Sequence, residues 1–114
     1  MASHTQIEVD GVTVLQLAGD LTRDALNRIE TPFLAAATAH PRAVVDISQV
    51  EMLNSSGICM LLRAAGTARK AGGAIFVAGA RGMVLDVLRH CRLETVLKMT
   101  PVLNDAVKLA RAHP

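Results

Sequence analysis

Hydrophobic and polar positions alternate near the start of the chain. Residues 7–10 and 12–18 alternate or run apolar on the two sides of Asp10-Gly11. An Asp-Gly dipeptide readily adopts the positive backbone angles of a two-residue hairpin turn. The pattern predicts that the protein begins with a β-hairpin.

A helical period follows the hairpin. Thr22 is a suitable N-cap, and the apolar residues beyond it recur at helical spacing: Leu26, Ile29 and Phe33. Pro32 is expected to kink or split this helix, because proline lacks the amide donor that a helix interior needs. His40-Pro41 ends the helix. Residues 43–47 are rich in β-branched side chains and predict a buried strand, which a loop connects to Asn54.

Helix and strand continue to alternate in the second half of the chain. A second helix is predicted from one apolar face, made of Ile58, Leu61, Leu62, Ala65 and Ala68. It ends near Gly72-Gly73, where glycine can take the left-handed cap conformation. Residues 74–78 predict the next strand. A third helix is predicted to bury Met83, Val84, Val87, Leu88 and Cys91.

Two further elements complete the predicted fold. Residues 95–97 are expected to form a short edge strand, and Thr100-Pro101 is a good helix start, with a hydroxyl cap and a proline at the first helical position. The order of elements predicts an α/β fold over residues 1–114 as a single domain. Its mixed sheet has an N-terminal hairpin, parallel central strands and about four packing helices.

Length and composition fit one globular domain, since the chain has 114 residues and is 51% apolar. It contains no apolar run long enough to span a membrane. Its start lacks the order of a signal peptide. We therefore expect a cytoplasmic protein without a membrane span. Cys59 and Cys91 lie far apart, so we expect reduced, partly buried thiols rather than a disulfide, a zinc site or another cofactor site.

Charge is unevenly distributed, although the formal net charge is only +2. Three Lys/Arg and seven Asp/Glu lie up to Gly57, and nine and three follow it, so the two parts carry −4 and +6. A basic second part favours an acidic protein surface, nucleic acid or an anionic membrane. The chain has no Trp or Tyr and only Phe33 and Phe76, which argues against nucleic acid because stacking platforms are missing.

Asn54-Ser55-Ser56-Gly57 stands where a predicted strand gives way to a helix. Loops at the carboxyl ends of parallel strands escape burial and face helix N-termini. The free N–H groups and the positive dipole end of such a helix can receive a hydroxyl, a carboxylate or a phosphate. A phosphate there would weaken the binding of a docked partner more than it would destabilise the fold, because it adds roughly two negative charges. The segment is therefore a candidate switch at a binding surface.

A helical wheel gives the second helix a mixed outer surface. Arg63 and Thr67 lie on its polar face, and Cys59 and Met60 flank that face outside the predicted core stripe. Apolar and basic groups beside a modifiable serine suit a transient protein interface. The plainer interpretation is that Ser55 only caps the helix and that Met60 is exposed incidentally.

The order of hairpin, helix, strand, Ser-Ser-Gly helix, strand and helix resembles the STAS domain of bacterial anti-sigma factor antagonists. Residues 46–58 lie at the centre of the resemblance, which spans nearly the whole chain, and read Asp-Ile-Ser-Gln-Val-Glu-Met-Leu-Asn-Ser-Ser-Gly-Ile. In that family an Asp-x-Ser strand end leads to an Asp-Ser-Ser-Gly or similar motif. A helix, a Gly-Gly turn and a buried strand follow, here Gly72-Gly73 and residues 74–78.

The resemblance implies partner switching. A serine kinase with a histidine-kinase-like ATPase fold, acting as the anti-sigma factor, would bind the unmodified protein and phosphorylate Ser55, the first serine of the motif. Phosphorylation would release the protein, and a metal-dependent PP2C-type phosphatase would restore the binding form. Contact with the partner is expected from Asn54, Ser56, Gly57, Cys59, Met60, Arg63 and Thr67.

Two departures from the family pattern bear on the phosphate. Asn54 stands where many relatives carry an acidic residue, which removes a charge that would repel a phosphate or orient the serine. Thr22 stands where the family often has a further Asp. The acidic surroundings of the serine are therefore weaker in this chain.

Other kinds of function find less support in the sequence. Ser55 lacks a Gly-x-Ser-x-Gly elbow and a recognisable histidine partner, so an enzyme is not indicated. His90 and Cys91 point about 100° apart on a helix, as expected for a surface histidine beside a core cysteine. Residues 79–82 lack the Lys-Ser/Thr of a P-loop. The alternative that stays open is a constitutive STAS scaffold or subunit, stressosome-like or associated with a lipid-transport ATPase, that phosphate does not switch.

Overall fold

The computed structural model of the protein describes residues 2–95 and 97–113. These residues form five strands, four α-helices and one short 3₁₀ helix. In chain order they are β1 (Ser3–Val9), β2 (Val12–Leu21), α1 (Arg23–Ala39), β3 (Val44–Leu53), α2 (Ser55–Lys70), β4 (Phe76–Ala78), α3 (Gly82–His90), the 3₁₀ helix (Leu93–Thr95), β5 (Lys98–Thr100) and α4 (Leu103–Ala112).

The strands form one sheet in the order β1-β2-β3-β4-β5. β1 pairs antiparallel with β2, and each later strand pairs parallel with the one before it. Asp10 and Gly11 connect β1 to β2 with φ angles of 50° and 79°, as a two-residue hairpin turn requires. The predicted α/β class is confirmed, with its mixed sheet, N-terminal hairpin and parallel central strands.

Helices cover both faces of the sheet. Successive side chains of each central strand point to opposite faces, and both faces are apolar. Val45 of β3 belongs to the larger core beneath α1, α2 and α3, whereas Val44 belongs to the smaller core beneath α4. The largest fully buried apolar side chains of the larger core are Phe33, Leu15, Leu17, Leu21, Ile47, Met60, Leu61, Leu88 and Leu97. The smaller core closes over α4 through Ala106, Val107 and Ala110.

Strand β3 extends well beyond the predicted strand. Residues 43–47 are predicted to lead into a loop, but the strand runs over Val44–Leu53. Beyond Asp46 the register against β2 shifts, and the buried Asp46 carboxylate accepts the N–H of Ser48 at 2.9 Å. This irregularity interrupts the two-residue alternation, so the mostly polar run of residues 48–51 hides the continuing strand. The Asp-x-Ser pattern therefore marks a place inside the strand and not its end.

Helix α1 runs unbroken over Arg23–Ala39 with Pro32 inside it, so of the two predicted outcomes a split is wrong and a kink stays a prediction. Pro32 is exposed, and on that face water can satisfy the carbonyl that proline leaves without a donor. Thr22 is the N-cap residue, as predicted, although its side chain makes no capping hydrogen bond.

Three boundaries in the second half also differ from the prediction. The strand expected over 74–78 is limited to Phe76–Ala78. The edge strand expected over 95–97 is instead Lys98–Thr100; Thr95 ends the 3₁₀ helix, and Val96 lies outside the described residues. Helix α4 begins at Leu103 rather than after Thr100, because Thr100 pairs within the sheet and its hydroxyl donates to the Val102 carbonyl at 2.9 Å.

The buried face of α2 corrects the predicted position of Met60. Met60 is 0% exposed, so it does not flank the polar face outside the core. The helix buries Gly57, Met60, Leu61, Ala64, Ala65 and Ala68, and it ends before Gly72, whose φ is 85°, near the predicted end. The sequence pattern missed this face because Gly57 and Ala64 are too small to stand out as apolar residues on a helical wheel. Their small size lets the helix approach the sheet on that side.

Helix α3 buries a narrower stripe than predicted. Val84 and Leu88, one turn apart, are buried, whereas Met83 is 69% exposed. The helix ends at His90, which leaves Cys91 in an exposed position beyond it. The thiols of Cys59 and Cys91 are both free and exposed, so the expectations of partly buried thiols and of a core cysteine beside His90 are wrong. The helix ends one residue before Cys91, so the predicted stripe loses its last member.

Candidate functional site at the start of the second helix

The segment Asn54 to Gly57 lies at the carboxyl edge of the parallel strands, where β3 joins α2. β3 ends at Leu53 and α2 begins at Ser55, so Asn54 alone separates strand from helix. The last pair in the β2–β3 register joins Leu21 to Leu53. Ser55 is therefore placed by regular structure on both sides and not by a flexible loop.

Asn54, and not Ser55, caps the helix. The Asn54 side-chain Oδ1 accepts the N–H of Gly57 at 3.2 Å, and its backbone carbonyl accepts the N–H of Ile58 at 3.0 Å. Ser55 is exposed, and within the described residues its hydroxyl makes no hydrogen bond. The plainer interpretation of Ser55 as a helix cap is therefore wrong, and its hydroxyl is free for chemistry.

Gly57 allows the first turn of α2 to pack closely on the strand ends. A Cβ at this position would lie 2.6 Å from Leu53 Cδ1 and 3.1 Å from Leu21 Cβ, closer than side chains normally approach. The residue is buried, so its contribution to the site is to position Asn54 and Ser55 rather than to present a side chain to a partner.

A groove between α1 and α2 contains Ser55. Its volume is about 310 Å³, and it is lined by Arg23, Leu26, Asn27, Glu30, Ser55, Ser56, Cys59 and Arg63. Ser56, Cys59 and Arg63 are thus brought together with Ser55, as the sequence predicts. Half of the lining comes from α1, and no sequence signal links these residues to the motif because they lie about thirty positions earlier.

Of the two arginines that line the groove, one is ion-paired and the other is not, within the residues that the structure describes. Arg63 of α2 forms an ion pair with Glu30 of α1 across the groove. Arg23 is exposed, and within the described part of the chain its guanidinium has neither an ion pair nor a hydrogen bond. One uncompensated cation therefore lies in the same groove as the free Ser55 hydroxyl.

Four predicted contact residues do not line this groove: Asn54 and Gly57, which form the capping turn, and Met60 and Thr67. Met60 is fully buried beneath the helix, and Thr67 is half-buried and further along α2. Met52 was missed by the sequence interpretation, which placed it in a loop. It lies near the end of β3, two residues before Asn54, and is 47% exposed. Its side chain alternates with that of Leu53, which belongs to the larger core, so it projects from the face of the sheet opposite α1 and α2.

The described residues contain neither a cluster of metal-binding side chains nor a membrane-spanning helix. Among residues 2–95 and 97–113, no group of three or more His, Cys, Asp or Glu side chains is arranged to hold a metal ion. None of the helices in that part of the chain is both long and apolar enough to cross a membrane.

A comparison with known protein families identifies the family of the chain. The family described as "Mlab, STAS domain" matches residues 4–101. The chain belongs to the STAS domain family. The resemblance inferred from the Asn54-to-Gly57 motif and the order of elements is therefore confirmed. No curated protein matches the chain in sequence.

Solved structures of other proteins share the fold over nearly the whole chain. An anti-sigma factor antagonist from Mycobacterium paratuberculosis is 26% identical, with a TM-score of 0.85, and the match covers 97% of this chain and 95% of that one. A putative anti-sigma factor antagonist from Thermotoga maritima is 16% identical with a TM-score of 0.86, covering 95% and 94%. Bacillus SpoIIAA in its phosphorylated form is 17% identical with a TM-score of 0.72, covering 96% and 100%.

Proposed function

We propose that this STAS protein is a cytoplasmic anti-sigma factor antagonist that switches partners through Ser55 and has no catalytic activity of its own. In its unmodified form it binds a serine kinase of histidine-kinase-like ATPase fold, which is the anti-sigma factor. Phosphorylation of Ser55 releases it, and a PP2C-type phosphatase restores the binding form. The observation that carries the proposal is the exposed, unbonded Ser55 hydroxyl at the start of a helix already capped by Asn54.

The local structure suits a serine that gains and loses a phosphate. A kinase needs a hydroxyl that it can reach, and Ser55 is exposed. Because Asn54 already supplies the capping bond, modifying Ser55 removes no hydrogen bond that holds the helix. The positive end of α2 favours a negative group in its first turn. The folded domain therefore tolerates the phosphate. A partner that docks on this surface has to desolvate the phosphate, so partner binding is weakened.

The surface around Ser55 has the composition of a transient interface. Exposed groups on it are polar at Asn54, basic at Arg63, and weakly polar at Cys59. Such mixed surfaces are typical of non-obligate complexes. Gly57 and Met60 support this surface from beneath, and we assign contacts to Asn54, Ser56, Cys59 and Arg63, with Thr67 at the margin.

The comparisons support this proposal to different degrees. The Mycobacterium paratuberculosis relative is described as an anti-sigma factor antagonist, and it is similar over nearly its full length. SpoIIAA, which shares the fold, is described in a phosphorylated form. Both support a regulatory binding protein, and the assignment of the modified residue to Ser55 rests on the motif and on the exposed, unbonded hydroxyl.

The experiment that tests the proposal is a pull-down from the native cell's lysate, with the wild type, Ser55→Ala and Ser55→Asp as baits. Thr5→Asp is the matched control, because it adds the same charge at an exposed position of β1. We expect the wild type, Ser55→Ala and Thr5→Asp to capture an ATPase-fold kinase, identified by mass spectrometry, and Ser55→Asp to lose it. If all four baits capture the same proteins, the protein is a constitutive scaffold or subunit and the switch is refuted.

A further inference from the structure

Arg23 and Ser55 occupy equivalent positions on neighbouring helices. Leu21 and Leu53 are paired in the parallel register of β2 and β3. Arg23 follows the first of these by two residues and Ser55 follows the second by two. Each is the first residue of its helix, and both line the same groove of about 310 Å³. Adjacent strands lie about 4.8 Å apart and packed helices about 8–10 Å apart, so an arginine side chain and a phosphoseryl group together span the gap.

The charges of the groove leave Arg23 available for an anion. Arg63 forms an ion pair with Glu30 further along the two helices, and the two charges neutralise each other. Arg23 has no ion pair or hydrogen bond within the described residues, even though Asp24 is next to it in sequence. Asn27, one turn along α1, and Ser56 add hydrogen-bonding groups to the same lining. A guanidinium can donate two parallel hydrogen bonds to phosphate oxygens.

We propose that Arg23 receives the phosphate of Ser55 within the same molecule, so that the modified side chain bridges the first turns of α1 and α2. This inference rests on the proposed function for the identity of the modified serine. In the transfer, Ser55 Oγ gains a bond to the γ-phosphorus of ATP, the bridging bond to the β-phosphate breaks, ADP leaves and the hydroxyl proton passes to a base. Arg63 keeps Glu30, and Arg23 pairs with the new dianion.

The bridge adds a second way for phosphate to end partner binding. Besides placing negative charge on the surface, it fills the groove between α1 and α2 that an unmodified partner would contact. The phosphate held by Arg23 is also less accessible to a phosphatase. The phosphorylated form therefore lasts longer with Arg23 than without it.

The test is a phosphorus NMR titration of protein carrying genetically encoded phosphoserine at position 55. The charged or titratable groups facing the phosphate are Arg23 and Glu30 from α1 and Cys59 and Arg63 from α2. A nearby guanidinium lowers the second pKa of a phosphate, which is ordinarily about 6. We expect Arg23→Gln to raise that pKa by about 0.5 unit, since exposure weakens the interaction.

Two variants make the result specific. Arg28→Gln removes an exposed arginine from the same helix outside the groove and should leave the titration unchanged. Arg23→Lys keeps the charge but not the paired donors and should give an intermediate value. An unchanged pKa in Arg23→Gln, or an equal change in Arg28→Gln, overturns the proposal. No kinase takes part, so this failure is distinct from a failure of partner switching, in which no kinase would distinguish the two forms.

Discussion

The capping role of Asn54 makes a quantitative prediction about stability. Replacing Asn54 with Ala removes the acceptor of the Gly57 N–H, which lies 3.2 Å away in a buried residue. Losing an N-cap side chain costs about 1 kcal/mol, within a range of roughly 0.5–2 kcal/mol. In a domain of this size that loss lowers the melting temperature by about 4 °C. Urea unfolding should show a lower midpoint with an unchanged slope, because the surface exposed on unfolding stays the same.

The variant Asn54→Asp tests whether helix stability depends on the capping acceptor oxygen or on the asparagine side chain as such. Aspartate keeps the acceptor and adds a negative charge at the positive end of α2, where such charges contribute about 0.3–1 kcal/mol at exposed positions. We therefore expect this variant to be at least as stable as the wild type at neutral pH. If Asn54→Ala were as stable as the wild type, or if Asn54→Asp lost as much stability as Asn54→Ala, the assignment of Asn54 as the cap would be refuted.

Three further predictions concern packing, titration and association. Gly73→Ala should cost more than about 2 kcal/mol in chemical unfolding, because its Cβ would lie 2.0 Å from the Pro41 carbonyl oxygen, whereas Gly66→Ala, with open space around the Cβ, should gain up to about 1 kcal/mol. Equal effects would contradict the packing described. Burial lowers the pKa of His4 below 6.5, so the unfolded chain binds more protons just below pH 6.5 and the free energy of unfolding should decrease as the pH falls through that value. His4→Gln should show a smaller decrease, and an identical pH profile would exclude this role. The basic second part of the chain predicts that affinity for the kinase falls with rising ionic strength; a salt-independent affinity would count against an acidic partner face.

Local patterns in the sequence were sufficient to predict the order of elements. Asp10-Gly11 specifies the hairpin because few other dipeptides take two positive φ angles easily. Val44 and Val45 identify a strand buried on both faces, and Gly72 marks the end of α2 because it takes the left-handed conformation. In each case a short-range preference and the tertiary structure agree.

Where tertiary contacts override local pattern, the sequence was misleading. The irregularity after Asp46 breaks the alternation of β3, so the second half of that strand was interpreted as a loop. The close approach of Gly57 to Leu21 and Leu53 sets the rotation of α2 and buries Met60. These effects depend in part on contacts between distant residues, such as Gly57 with Leu21 and β3 with β2, which periodicity within one helix or strand does not encode.

The candidate site was predicted in part. The motif identifies Ser55 and its helix, and the structure brings Ser56, Cys59 and Arg63 beside it. The division of roles within the motif could not be predicted, because Asn54 and Ser55 are both good N-cap residues and only the geometry shows which one caps. The contribution of α1, above all Arg23, follows from the parallel register of β2 and β3.

The most direct test of partner switching is the affinity of the captured kinase for unmodified protein and for protein carrying phosphoserine at position 55, measured by calorimetry at one ionic strength. The switch predicts that the phosphorylated form binds at least about 100-fold more weakly, which corresponds to roughly 2.7 kcal/mol. Phosphoserine at position 5, an exposed position of β1 outside the proposed contact surface, is the matched control for charge. Equal affinity of the kinase for the unmodified form and the form phosphorylated at Ser55 would contradict the account.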